Sequence, residues 1–160
     1  MRVSLIAVGR LKDSAERGLM DRYVERFNRL GRGIGLGPLE EIEIGESRAD
    51  AARSRRDEES AALLARVPER SRVVSLDAGG RQFSSEDFAA LMADWRDGGT
   101  PRACFLAGGP DGHGEAATTA ADLTLSLGRL TLPHGLARIV LAEQLYRAAT
   151  ILAGHPYHRG

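Results

Sequence analysis

The sequence predicts an α/β fold with a mainly parallel sheet flanked by helices. Three observations point to it: short apolar runs alternate with longer amphipathic segments, glycine-rich turns follow two of those runs, and hydrophobic residues make up 42% of the 160 residues. This length suits one domain, so we expect residues 1–160 to form a single unit. In such sheets ligands bind beyond the carboxyl ends of the strands, where the glycine-rich turns are predicted.

The first part of the chain is predicted to form a strand, a helix and a second strand. Residues 3–8 form a short run that is apolar apart from Ser4, as is typical of a buried strand. Residues 13–29 carry apolar side chains at helical spacing, and Asp13 or Ser14 is the expected N-cap. Strand-like alternation returns at residues 39–44.

The most glycine-dense stretch of the chain, residues 31–38, has two interpretations. It is either a plain connection or a phosphate-binding loop. It lacks the Gly-Lys-Ser/Thr ending of a P-loop and the spacing of a dinucleotide fingerprint, so a connection is favoured. Residues 47–66 then predict a helix whose charged run is a solvated face.

The middle of the chain repeats the strand and helix pattern. An apolar run at residues 72–76 ends in a predicted turn at 77–80, and residues 84–95 predict a helix. A further run at residues 103–107 ends at Gly-Gly-Pro-Asp-Gly, residues 108–112. Both glycine turns are therefore expected at the same edge of the sheet.

The remainder of the chain departs from this rhythm. A short helix at residues 115–122 and one short strand within 123–132 precede a long helix. Its predicted apolar stripe consists of Ala137, Leu141, Leu145, Ala148 and Leu152. Arg138, Glu143 and Arg147 are predicted to lie off that stripe. The last two stand at i and i+4, the spacing of an ordinary surface ion pair.

Charge and cysteine content exclude several kinds of binding site and argue against some classes of function. The 22 basic and 22 acidic side chains cancel, which argues against nonspecific coating of nucleic acid. From residue 126 onward there are four arginines and one acid, so positive charge is concentrated in that part. A single cysteine, Cys104, excludes an internal disulfide and a Cys-based zinc site. No apolar run is long enough for a signal peptide or membrane span, so we expect a cytoplasmic protein without membrane or metal partners.

The C-terminal half resembles one known family. The matching segments are Leu-Ala-Gly-Gly-Pro-Asp-Gly at 106–112, Ser-Leu-Gly-Arg-Leu-Thr-Leu-Pro-His at 126–134, Glu-Gln-Leu-Tyr-Arg-Ala at 143–148 and His-Pro-Tyr-His-Arg at 155–159. Together they resemble the ribosomal RNA large subunit methyltransferase H family, of the SPOUT class of methyltransferases. The resemblance covers the whole chain and is densest in these segments.

The resemblance implies a fold, an activity and partners. The fold is a SPOUT-type sheet with a C-terminal deep trefoil knot, in an obligate homodimer. The activity is transfer of a methyl group from S-adenosylmethionine to N3 of a pseudouridine in 23S rRNA of the assembled ribosome. Two alternatives stay open, since fold does not fix substrate: action on tRNA or another rRNA site, and a nonenzymatic ribosome-associated nucleotide-binding module.

Carried over by position, the resemblance assigns the cofactor to three loops. The expected cofactor-binding residues are Leu76, Gly108, Gly109, Leu127, Gly128, Arg129, Leu130, Thr131, Leu132 and Pro133. A glycine pair at a strand end lets backbone approach a ligand closely, although a turn with positive φ would also account for it. His134 is expected either to cap the last helix or to touch the cofactor, and His113 is assigned no role.

The last residues are the candidate catalytic and substrate-binding element. They are Tyr157, His158 and Arg159. Methylation at N3 of pseudouridine requires loss of an imide proton, so a base or a charge that stabilises the anion would lower the barrier. His158 is a candidate base, and Arg159 offers a planar fork for a phosphate or a carbonyl. The identity of the base stays open, and we expect the active site to use residues of both protomers.

Overall fold

The computed structural model describes residues 1–159 and contains one sheet of five parallel strands. The strands are β1 (Arg2–Val8), β2 (Leu39–Ile44), β3 (Ser71–Arg81), β4 (Arg102–Ala107) and β5 (Leu123–Leu125). The helices are α1 (Ser14–Gly31), α2 (Ala52–Leu64), α3 (Ser85–Asp97), α4 (Glu115–Ala120) and α5 (His134–Leu152). The strand order is β2-β1-β4-β3-β5, and every neighbouring pair is parallel. The predicted fold class is confirmed, while the knot stays a prediction.

Helices cover both faces of the sheet. On β1, Val3, Leu5 and Ala7 pack in the larger core with α1, α3 and α5. The alternate residues Ile6 and Val8 pack in a second core with α2 and α4. A strand buried on both faces is apolar at most positions, which explains the run in the sequence; Ser4 is the exception and is buried as well.

The helix starts show which sequence signals determine the element boundaries. The Asp13 carboxylate accepts hydrogen bonds from the amides of Ala15 and Glu16, both at 2.9 Å, and caps α1 as predicted. The helix expected over residues 47–66 is shorter, because α2 begins at Ala52. The amide of Ser47 instead donates to Glu59 Oε1 at 2.9 Å, so the residues before α2 form a connection.

The turn predicted after residues 72–76 is a bulge within a longer strand. Both Leu76 and Arg81 pair with Leu125 of β5, so residues 77–80 bulge out of the register. A Cβ on Gly80 would lie 2.7 Å from the carbonyl oxygen of Thr124, a contact that only glycine avoids. The bulge therefore moves residues 77 and 78 out of the strand pairing at the carboxyl edge of the sheet.

Arg138 contradicts the prediction that it lies off the apolar face of the last helix. Its residue surface is only 2% exposed. The guanidinium donates to the carbonyl oxygens of Val8 and Gly9, the latter at 2.9 Å, and to Glu43 Oε1 at 3.2 Å. The physical reason is that α5 crosses the end of β1, where carbonyls need donors that the neighbouring strands do not supply.

Membrane-spanning helices and metal clusters are both absent from the described part of the chain. No helix within 1–159 is long and apolar enough to cross a membrane. No group of three or more His, Cys, Asp or Glu side chains in that range is placed to hold a metal ion.

Candidate active site

A cavity of about 320 Å³ lies at the carboxyl edge of the sheet. Three segments form its walls: the bulge that follows Leu76, the turn that follows Ala107, and the connection from β5 to α5. We call it the three-loop cavity. Ligand pockets of parallel α/β sheets occur at this edge, because helix-connecting loops converge there.

Most of the predicted cofactor residues line the three-loop cavity. They are Leu76, Gly108, Gly109, Leu127, Gly128, Leu130, Thr131 and Leu132. Arg129 and Pro133 were predicted with them but are not among the lining residues, and Arg129 is exposed, so their part in cofactor binding stays a prediction. Asp77, the first residue of the turn that was expected to form the first of the three loops, also lines it. Sequence reasoning missed Ala137, which lies on α5 and was assigned only to the apolar stripe of that helix.

The glycine pair at the end of β4 is required by close backbone contacts. Neither Gly108 nor Gly109 has a positive φ, so the alternative of a left-handed turn is wrong. A Cβ on Gly108 would lie 3.0 Å from the backbone of Gly112, where the turn returns on itself. A Cβ on Gly109 would lie 2.7 Å from Glu59 Oε2 of α2. A side chain at either position would therefore force its neighbours to shift.

Helix α2 holds this turn from behind. The guanidinium of Arg55 donates twice to Asp111, from Nε at 2.7 Å and from Nη2 at 3.2 Å. This hydrogen bonding lowers the pKa of the Asp111 carboxyl. The amide of Gly114 donates to Ser60 Oγ at 2.8 Å in a buried contact. Arg55 and Ser60, both on α2, thus hold the turn at Asp111 and the chain just after it at Gly114.

His113 lies under the same turn. Its Nε2 is 3.2 Å from the carbonyl oxygen of Leu106, so Nε2 carries the proton and donates. Burial lowers the pKa of His113, which keeps the imidazole neutral. A Cβ on Gly108 would come within 3.4 Å of the ring. His113, to which the sequence assigned no role, therefore supports the floor of the turn.

His134 begins α5 and lines the three-loop cavity. The N-cap of that helix is Pro133, and no side chain caps it. Of the two expectations for His134, capping the helix is therefore wrong. The other, contact with the cofactor, stays a prediction.

The C-terminal tail folds back on α5. The Tyr157 hydroxyl donates to Glu143 Oε1 at 3.0 Å, and Arg147 Nη2 donates to the same oxygen at 2.6 Å. The Tyr157 ring packs against Tyr146 with ring centroids 4.7 Å apart. Burial first, and then the neighbouring Tyr23 and Glu143, raise the pKa of Tyr157. The phenol therefore stays protonated at neutral pH and acts as a donor.

The next residue, His158, connects the tail to α3. Its Nδ1 is 3.3 Å from Arg147 Nη1, and its Nε2 is 2.8 Å from Glu86 Oε1. Because an arginine only donates, Nδ1 accepts and Nε2 carries the proton that Glu86 accepts. Arg159 is exposed. Both ring nitrogens of His158 are therefore engaged within its own chain.

The structure does not bring the three tail residues to the three-loop cavity of the same chain. The cavity is lined by His134 and Ala137 at the beginning of α5, whereas Tyr157 contacts the middle of that helix. Helix α5 has 19 residues and is about 27 Å long. The predicted cofactor residues and the predicted catalytic residues thus form two separate clusters along one helix.

Comparisons with known proteins agree on one family. A family model described as "Predicted SPOUT methyltransferase" matches residues 1–158. Proteins named "Ribosomal RNA large subunit methyltransferase H" are 55% identical in Xanthobacter autotrophicus and 50% identical in Rhodopseudomonas palustris strain BisA53, over 99% of this chain and 99% of each relative. Among solved structures, the SpoU methyltransferase AviRb from Streptomyces viridochromogenes in complex with AdoMet aligns with 96% of this chain and 59% of that chain. Its TM-score of 0.46 and 17% identity are too low to support an argument.

Proposed function

Because the chain belongs to the ribosomal RNA large subunit methyltransferase H family, we propose that it methylates N3 of a pseudouridine in 23S rRNA of the assembled ribosome. Its methyl donor is S-adenosylmethionine. The observation that carries the proposal is the three-loop cavity, at the sheet edge where such folds bind ligands. Gly108 and Gly109 in its wall carry no side chain and pack closely against Gly112 and Glu59.

The three-loop cavity fits S-adenosylmethionine in size and chemistry. About 320 Å³ lies at the lower end of the range for small-molecule sites. Leu76, Leu127 and Leu132 offer apolar contacts to a purine, while Asp77 and Thr131 offer polar groups to a ribose or an amino acid end. When bound, the cofactor supplies a methyl group attached to a cationic sulfonium. The chain's own residues hold the donor and acceptor in line and exclude water.

Removal of the N3 proton is assigned to the tail. Tyr157 is unsuited as a base, because its raised pKa keeps it protonated and it already donates to Glu143. His158 has an imidazole lone pair, at Nδ1, that faces Arg147. If the N3–H group of the substrate replaces Arg147 at Nδ1, this nitrogen can accept the N3 proton. Glu86 would continue to bind the Nε2–H of the ring. Arg159 would stabilise the developing imide anion or bind a phosphate.

We propose that the protein acts as a homodimer with shared sites. The separation of the tail from the three-loop cavity along α5 supports this arrangement, because a tail that does not line its own cavity is available to the partner's. The net charge of zero fits a shaped ribosomal target better than naked RNA.

Methyl transfer to ribosomes tests the activity. Ribosomes from a strain that lacks this enzyme are incubated with the protein and labelled S-adenosylmethionine, and the product is mapped by mass spectrometry. We expect one labelled pseudouridine, methylated at N3, in 23S rRNA. Label in tRNA or at another rRNA position would support the alternative acceptors, and a folded protein that does not bind the cofactor in calorimetry would refute every methyltransferase assignment.

Mixed dimers test the shared site. One chain lacks Tyr157 and the residues after it, and the other carries Gly108→Val, whose side chain would clash with the backbone of Gly112 and distort the cavity wall. We expect each homodimer to be inactive and the mixture to recover activity at one of its two sites. Calorimetry of the shortened chain should show unchanged cofactor affinity. A mixture as inactive as its parents would show that tail and cavity act within one chain.

A further inference from the structure

A second cavity, of about 340 Å³, adjoins the three-loop cavity. It lies between the segment from β3 to α3 and the face of α5 that carries Val140 and Gln144. The two cavities share Leu125, Leu127 and Gly128 in their walls. A group bound in the second cavity is therefore a direct neighbour of a ligand in the first.

The opposite side of the second cavity borders the tail. Ser85, which lines it, precedes Glu86, the contact of His158. Gln144, which also lines it, donates from Nε2 to Glu143 Oε2 at 2.7 Å. The second cavity thus extends from the proposed methyl donor site to side chains that neighbour or contact Glu86 and Glu143. A methyl acceptor has to lie directly beside the donor site, as this cavity does.

The carboxamide of Gln144 is held in one orientation. Its Oε1 accepts a hydrogen bond from Ser85 Oγ at 2.8 Å, and its Nε2 donates to the Glu143 carboxylate, which only accepts. The two contacts use one N–H and one lone pair. One N–H and one lone pair of the carboxamide remain, which are the donor and the acceptor that a ligand edge with a carbonyl beside an N–H requires.

The remaining wall suits a flat ring. Phe83 lines the second cavity, and the guanidinium of Arg81 lies over its ring at 4.4 Å from the centroid. Phe88 lines the cavity as well. Enzymes that modify a base take it out of its stack and bind it by aromatic contact and by hydrogen bonds to its edge.

We propose that the second cavity binds the target base and that Gln144 determines the preference for pseudouridine over uridine. The inference rests on the proposed function. If N3 faces the three-loop cavity, uridine has no second N–H, because its N1 is bonded to the ribose. Pseudouridine is bonded through carbon and keeps N1–H beside the C2 carbonyl. That edge is complementary to the free donor and acceptor of Gln144, and uridine would leave the acceptor of Gln144 unpaired.

The test compares Gln144→Leu with the wild-type protein on two kinds of ribosome. One kind carries pseudouridine at the target position, and the other carries uridine because its strain lacks the synthase for that position. For the wild type we expect kcat/KM to be about 10- to 100-fold higher on pseudouridine ribosomes. This is the discrimination expected when one side chain makes two hydrogen bonds to one base edge. For Gln144→Leu we expect the two values to converge at the uridine level, with cofactor affinity unchanged in calorimetry.

The selectivity ratio separates this role from a merely structural one. Loss of the contact to Glu143 alone would lower activity equally on both ribosomes, and such an outcome would overturn the proposal. A molecular mass of Gln144→Leu in light scattering that differs from the wild-type mass would also overturn the proposal. It would show that this wall of the second cavity contacts a second copy of the chain and not the target base. If the leucine variant does not fold, Ser85→Ala provides the test, because it releases the Gln144 oxygen and should reduce the ratio. A wild-type protein inactive on pseudouridine ribosomes would refute the proposed function instead.

Discussion

Replacement of the buried Arg138 by methionine should destabilise the protein while leaving its surface unchanged. Methionine preserves most of the volume and the flexible stem, so the change removes the guanidinium without opening a large cavity. Its loss leaves the carbonyl oxygens of Val8 and Gly9 without that donor at the end of β1. It also removes one of the cations beside Glu43.

The size of the destabilisation depends on the charged side chains that remain around residue 138. Arg17 still pairs with Glu41 at 2.6 Å and with Glu43 at 3.4 Å, so each carboxylate keeps a positively charged partner. The cost therefore comes mainly from the two carbonyls, at about 1–3 kcal/mol for each unsatisfied buried group. We expect a loss of about 3 kcal/mol, the lower end for breaking a buried ion pair. For a domain of this size that corresponds to a Tm lower by about 6–12 °C.

Thermal unfolding followed by circular dichroism measures the effect. Wild type and variant are compared at one protein concentration, because the Tm of a dimer depends on concentration. The exposed Arg22 of α1 provides the control, and Arg22→Met should change the unfolding free energy by no more than about 0.5 kcal/mol. If Arg138→Met melts within about 2 °C of that control, the reasoning that the guanidinium satisfies the end of β1 is wrong.

Three further changes probe the site and the fold. Gly109→Ala should weaken S-adenosylmethionine binding about tenfold in calorimetry, because the new Cβ would lie 2.7 Å from Glu59 Oε2 and displace the turn; unchanged affinity would contradict the steric argument. Burial raises the pKa of the Cys104 thiol, so a thiol reagent at about pH 8 should label the unfolded chain at once and the native protein only slowly. Equal rates would show that the strand opens. Ser84→Ala removes the cap that accepts from the Asp87 amide, and urea unfolding should show a loss of about 1 kcal/mol; no change would mean that water replaces the cap.

Periodicity and capping residues were sufficient to predict the architecture. The strands begin and end close to their apolar runs, and Asp13 caps α1 as its position suggested. The bulge at residues 77–80 could not be predicted, because it depends on Leu76 and Arg81 sharing Leu125 on a strand far along the chain. Local patterns carry no information about such a register.

The parts of the three-loop cavity that are formed by backbone were predictable from the sequence. The positions of side chains were less predictable. Gly108 and Gly109 were identified because a glycine pair at a strand end indicates a close approach of backbone, which leaves no room for a side chain. Arg129 was expected with its neighbours Gly128 and Leu130, and its role stays a prediction because it is not among the residues that line the cavity. The direction of a side chain in an irregular loop follows from tertiary contacts that local sequence does not give. Arg138 was misplaced for a related reason, since its partners at Val8 and Gly9 lie about 130 residues away.

That last contact also determines when the protein can reach its final structure. The chain is synthesised from its N-terminus, so β1 is made long before α5. The carbonyls at the end of β1 receive the Arg138 donor only once the last helix has been translated. Strand β1 lies between β2 and β4, and its pairing with β4 must also wait for a strand made much later. The native core is consequently completed after translation, and nascent fragments that end before α5 should be sensitive to proteases.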